Sequence, residues 1–163
     1  MIGPEFSPGL VDPRLVFPDL RARSRDGVLL EMAEGLGAAG VVAEPSELAE
    51  RLRKREGDGC TGLAGGIAFP HCRVDRLPAP VLAVGVSASG VDFGASDGVP
   101  TTLFFLLLSP KDAPALHLQA LARLTRLVRT PGLAGRLKEA GSAEAIARLL
   151  REAEAATFAA TAP

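Results

Sequence analysis

The chain predicts an α/β domain: a small mixed β-sheet flanked by helices on both faces. Three observations carry this. Residues 101–109 (TTLFFLLLS) are apolar at consecutive positions, the pattern of a central strand covered on both sides. Amphipathic helical stretches lie both before and after that strand. Helices and strands alternate without a strict βαβ repeat, so a mixed sheet between helices is the most economical packing.

The elements follow in order. Arg23 to Gly40 reads as a helix, with Val28, Leu29, Met32, Ala33 and Leu36 at helical spacing and Gly37 and Gly40 at its end. A second helix starts at Pro45-Ser46 and runs to about Glu56. Leu48, Ala49 and Leu52 form its apolar stripe; Glu47, Glu50, Arg51, Arg53 and Lys54 form its solvated side. Gly57 to Gly62 is a glycine-rich loop. Ile67 to Phe69 and Val81 to Ser87 are short strands, and Ser89-Gly90 and Gly94 to Pro100 are turns. Pro110 to Pro114 is a loop after the central strand. Ala115 to Thr130 is a helix, with Leu116, Leu121, Leu124, Leu127 and Val128 toward the core. Leu133 to Ala140 and Ser142 to Ala156 are two shorter helices, the last capped by Ser142. A single domain over 15–156 is expected. Residues 1–14 read as a tail that includes vector-derived residues in MIGPEFSP, and residues 157–163 as a fraying end.

Composition narrows the function. Net charge is −1 over 163 residues, so no basic field argues for nucleic acid. Only Lys54, Lys111 and Lys138 are lysines. Cys60 and Cys72 are too few for a disulfide scaffold and lack Cys-x-x-Cys or zinc-type spacing, so no metal and no cofactor is expected. The longest apolar run, Leu103 to Leu108, falls far short of the ~20 residues that span a bilayer. No signal segment opens the chain. A cytoplasmic protein without membrane insertion is expected.

The histidine count is the sharpest clue. His71 and His117 are the only two, and the chain has no Tyr or Trp. Any neutral nitrogen nucleophile near pH 7 must be one of these. His71 follows a short apolar run closed by Pro70, where a strand is expected to end and present its last residue at the sheet edge. His117 opens an amphipathic helix.

The stretch Arg55 to Cys72, REGDGCTGLAGGIAFPHC, resembles the phosphorylation-site segment of the fructose/mannitol-type enzyme IIA domains of the bacterial phosphotransferase system, including their nitrogen-regulatory relatives. Arg55-Glu56, Gly59 to Gly62 and Gly66 to His71 fall at the family's spacing without a gap. The likeness continues through Val91-Asp92-Phe93-Gly94 with Asp97-Gly98, Leu106 to Pro110, and His117-Leu118, and covers roughly residues 15–154. The pattern is broken in three places, at four residues. Cys60 stands where serine is usual, Ala64-Gly65 where Gly-Asn is usual, and Phe69 where an aliphatic residue is usual.

The resemblance implies a phosphocarrier. His71 would accept a phosphoryl group from an HPr-like phosphohistidine protein and pass it to a IIB domain or use it as a signal to a regulatory target protein. Arg55 would answer the phosphoryl charge with its planar guanidinium, and His117 would stabilise a phosphoryl oxygen. Cys60, Thr61 and Gly62 would form a phosphate loop, with Thr61 supplying the hydroxyl that Cys60 lacks. Asp92 is a candidate partner for an imidazole nitrogen, and Phe69, Leu77 and Leu116 are candidates for an apolar docking rim. The sequence contains no IIB or IIC segment, which tilts the expectation toward a stand-alone regulator. Two other classes stay open: a phosphorylation-silent binding module of the same fold, and a thiol oxidoreductase using Cys60 and Cys72.

Overall fold

A computed structural model describes residues 11–159. The elements are β1 (Val16–Phe17), α1 (Arg25–Ala38), α2 (Pro45–Asp58), β2 (Gly62–Leu63), β3 (Ile67–Ala68), β4 (His71–Val74), β5 (Val81–Val91), β6 (Thr101–Pro110), α3 (Pro114–Val128), α4 (Leu133–Glu139) and α5 (Ala143–Ala159). The sheet is mixed, in the order β1-β5-β6-β3-β2, with β4 also pairing β6. β5 runs antiparallel to β6, while β3 and β4 run parallel to it.

The expected two-sided covering is present. Leu103 to Leu108 are all 0% exposed. Alternate residues of β6 serve opposite cores. Phe104, Leu106 and Leu108 pack with α1 and α2. Leu103 and Phe105 pack with α3, α4 and α5. Burying each such side chain contributes about 1.5–3 kcal/mol, so β6 is the strand around which both layers assemble.

Local signals set the helix starts. Ser24 accepts a hydrogen bond from the Gly27 amide at 3.1 Å and caps α1. Pro45 and Pro114 occupy first-turn positions of α2 and α3, where a missing N–H costs nothing. Ser142 Oγ accepts from the Ala145 amide at 3.1 Å, as the N-cap pattern predicts.

Several expectations are corrected. Pro70 does not end a strand; it breaks one. β3 pairs with Leu103–Phe104, and β4 resumes opposite Leu107 with His71 as its first residue. Proline has no amide to donate, but its carbonyl still accepts from the Leu107 amide at 2.9 Å. β5 continues through Ser89-Gly90 to Val91. The register slips between Val86 and Val91, and Gly90, at φ +76°, serves this bulge.

The N-terminal boundary also moves. Val11 and Leu15 are buried, Asp12 caps a 3₁₀ turn over Pro13–Leu15, and β1 pairs with β5. Isolated apolar residues in a proline-rich stretch carry no periodicity, so the tail expected over 1–14 hid this anchor. Residues 1–10 and 160–163 of the two expected tails lie outside the described residues. α5 extends to Ala159, and the Phe158 ring lies 3.9 Å under the Arg123 guanidinium.

Gly66 fixes the turn into β3. Its φ is +80°, its carbonyl accepts from the Thr102 and Leu103 amides, and an added Cβ would stand 3.0 Å from the Pro100 carbonyl oxygen. Gly66→Ala is expected to lower unfolding free energy by about 1–2 kcal/mol, read as a lower urea midpoint with unchanged slope.

Candidate functional site

The broken strand, the start of α3 and the end of α2 converge on one open cleft of about 770 Å³. Its walls are Lys54, Arg55, His71, Cys72, Arg73, Lys111, Pro114, His117 and Leu118. Among the described residues, four permanent cations line it and no carboxylate does. Lys111 also reaches Asp75 outside the wall, at 3.7 Å.

The two histidines meet there. Their ring centroids are 5.1 Å apart at 44°. His71 Nδ1 lies 2.8 Å from the Phe69 carbonyl oxygen. A carbonyl only accepts, so Nδ1 carries the proton and Nε2 carries the free lone pair. His117 Nδ1 lies 2.7 Å from Ser109 Oγ.

Both imidazoles titrate below the usual histidine value. For His71, burial is the main cause, opposed by the Phe69 carbonyl, reinforced by the Arg55 charge and opposed by Glu56. For His117, burial again leads, followed by His71, Arg73 and Arg55. Neutral rings at pH 7 are what a nitrogen nucleophile requires.

Arg55 lies on the cleft wall. One guanidinium nitrogen donates to the Gly59 carbonyl at 3.0 Å, which ties the last turn of α2 to the loop. Its neighbour Glu56 faces the opposite way and is buried. One Glu56 oxygen accepts from the Thr61 amide at 3.0 Å, and the other accepts from the Thr61 hydroxyl.

The structure therefore separates the expected site residues into two groups. His71, His117 and Arg55 come together. Cys60, Thr61 and Gly62 are not on the cleft wall. Thr61 spends its amide and hydroxyl on Glu56, and its carbonyl accepts from the Phe69 amide. Cys60 Sγ–H donates to the Phe93 carbonyl, and the sulfur accepts from the Gly62 amide. The Cys60 and Thr61 side chains are thus spent on the protein's own groups.

Asp92 does not approach a histidine. It accepts from the Gly94 amide and lines a separate depression with Ser24, Arg25 and Asp26. The expected docking rim also shifts. Phe69 is buried against Phe105, and Leu77 lines a different cleft beside Val41 and Val42. Leu116 is half-buried. Leu118, at 68% exposure, is the apolar side chain that stands open at the cleft.

Lys54, Arg73, Lys111 and Ser109 were not singled out by the sequence. Strand alternation places Arg73 on the same face as His71, a signal hidden because β4 was not foreseen. The thiol reading loses support: burial pushes the Cys72 thiol up to about 11, so it holds its proton at neutral pH. Among the described residues no three His, Cys, Asp or Glu side chains gather as metal ligands would, and no helix is long and apolar enough to cross a membrane.

Known proteins share this sequence pattern and fold. Residues 10–153 match the family described as "Phosphoenolpyruvate-dependent sugar phosphotransferase system, EIIA 2". The chain is similar to a nitrogen regulatory protein of Bradyrhizobium diazoefficiens, 36% identical over 86% of this chain and 92% of the relative. It is also similar to the fructose-specific EIIABC component of Bacillus subtilis, at 32% identity over 82% of this chain but only 21% of that longer protein. The crystal structure of the IIA-Ntr protein of Neisseria meningitidis superposes with a TM-score of 0.78 at 28% identity, covering 86% of this chain and 96% of that one. The fold and the family match define a phosphocarrier component. The chain belongs to the type 2 (fructose/mannitol) EIIA family, which spans sugar-transport and nitrogen-regulatory members.

The depressed histidines link folding to pH. The unfolded chain takes up these protons near pH 6.5 and the folded chain only at lower pH, so the unfolded state binds more protons between those values. Stability is expected to rise with pH through that window and level off above it, as far as these groups are concerned. Urea unfolding at several pH values checks this: a His71→Asn, His117→Asn protein should show a shallower acid loss than the wild type.

Proposed function

We propose that His71 Nε2 is the phosphoryl acceptor of this domain and that the cleft is its catalytic environment. The observation that carries the reading is the Nδ1 contact with the Phe69 carbonyl, which leaves Nε2 as a neutral nucleophile beside Arg55 and His117. The donor is an HPr-like phosphocarrier. The Nε2 lone pair attacks phosphorus in line, the P–N bond to the donor imidazole breaks, and that electron pair stays with the donor ring. The Nδ1 proton of His71 stays on its ring, where the positive charge that develops is met by the Phe69 carbonyl dipole. The donor ring carries a proton on its other nitrogen and so leaves as a neutral imidazole, which balances charge and protons. Onward transfer is the same step in reverse, to an acceptor on the next protein.

The incoming group carries nearly two negative charges. Arg55 offers the guanidinium nitrogens not used on Gly59, and Arg73, Lys54 and Lys111 set a favourable field. The acceptor is a IIB domain in a transport role or a regulatory target protein in a nitrogen-regulatory role. The relatives' names support both branches. Such a carrier works in the cytoplasm, where its donor resides.

Intact-mass spectrometry after incubation with phosphoenolpyruvate, enzyme I and HPr tests the reading. Wild type should gain one acid-labile phosphoryl group, and His71→Ala should gain none while keeping its fold. His117→Ala should still be phosphorylated, with transfer slower by about 10- to 100-fold. Stable phosphorylation of His71→Ala would contradict the assignment.

A further inference from the structure

We infer that Ser109 is a positioning residue: its hydroxyl donates to His117 Nδ1 and locks His117 in the tautomer that carries its proton on Nε2, facing the phosphoryl group. The inference rests on the reading of His71 as the acceptor, but the tautomer itself is independent of it.

The argument is one of hydrogen-bond satisfaction. Ser109 lies near the end of β6 and is 0% exposed. Its Oγ is 2.7 Å from His117 Nδ1, and among the described residues that ring nitrogen is the hydroxyl's one partner. Two arrangements fit that distance. If Nδ1–H donated to Oγ, the serine proton would be buried without an acceptor. If Oγ–H donates to the bare Nδ1, both groups are satisfied. Leaving a buried donor unpaired is the costlier choice, so the second arrangement prevails.

The chemical consequence follows. A neutral imidazole has one N–H. With Nδ1 occupied as an acceptor, that N–H is Nε2–H, and His117 becomes a neutral hydrogen-bond donor to the cleft. The opposite tautomer would present a lone pair to the phosphoryl oxygens and repel them. His71 and His117 thus hold opposite tautomers 5.1 Å apart. Phe69 supplies an acceptor and makes one ring the nucleophile; Ser109 supplies a donor and makes the other ring a clamp. The depressed proton affinity of His117 keeps its ring neutral, so that the tautomer is what matters.

Long-range ¹H–¹⁵N NMR of the histidine rings tests this on the unphosphorylated protein at neutral pH. Wild-type His117 should show a protonated Nε2 and a bare Nδ1, and Ser109→Ala should move both nitrogens toward a mixture of tautomers. A proton on Nδ1 in the wild type, or an unchanged spectrum in Ser109→Ala, would overturn the proposal. On the phosphorylated protein, Ser109→Ala should shorten phosphoryl lifetime or slow transfer by roughly fivefold. The same substitution made in a His117→Ala background should add nothing, because Ser109 acts through that ring. An equal loss in both backgrounds would assign Ser109 a merely structural role and refute the inference. If wild type takes up no phosphoryl group, the acceptor reading fails, while the tautomer measurement still decides Ser109.

Discussion

The hydrogen bond from His71 Nδ1 to the Phe69 carbonyl is the constraint on which the site depends. It exists because Phe69 turns its backbone away from β6: its amide donates to the Thr61 carbonyl, while the neighbouring Pro70 carbonyl is the one that accepts from Leu107. Here the chain resumes pairing with β6 at His71, while the Phe69 carbonyl stays free for the ring. One backbone carbonyl therefore fixes the ring's tautomer and its free nitrogen. β6 holds both halves of the broken strand in register and, through Ser109, supports the second histidine as well.

The cleft solves an electrostatic conflict. A phosphoryl acceptor must be neutral before the reaction, yet the site must attract a dianion. Partial burial and neighbouring guanidinium charges both disfavour protonation of the imidazoles, so they stay neutral within a cationic wall. Glu56 would upset this balance if it faced the cleft. Its carboxylate is instead turned inward and occupied by Thr61, where it clasps the glycine-rich loop beneath the broken strand. Adjacent residues of α2 thus turn opposite ways: Arg55 lines the cleft and Glu56 secures the loop.

Much of this was legible in the sequence. The apolar run of β6 announced a two-sided core, and the two histidines with Arg55 pointed to the cleft in which they meet. What stayed hidden shares one physical cause: it depends on pairing across the fold. β1, β2 and β4 are two to four residues long and exist only as partners of β5, β3 and β6. No periodicity marks such short strands. Missing β4 concealed Arg73, and with it the basic wall. Thr61 had the right chemistry for an anion loop, but the buried carboxylate five residues earlier competes for its hydroxyl. Ser109 looked like one more residue of a core strand, and its partner is eight residues away on the next helix.

The most direct test of the central claim is the identity of the phosphorylated nitrogen. ³¹P and ¹⁵N NMR of the phosphorylated, ¹⁵N-histidine-labelled protein reports which ring atom is bonded to phosphorus. The Phe69 contact predicts phosphorus on Nε2 of His71, with the Nδ1 proton retained. Phosphorus on Nδ1 would mean that the ring must leave the Phe69 carbonyl to react, and would contradict the account of how this site is built.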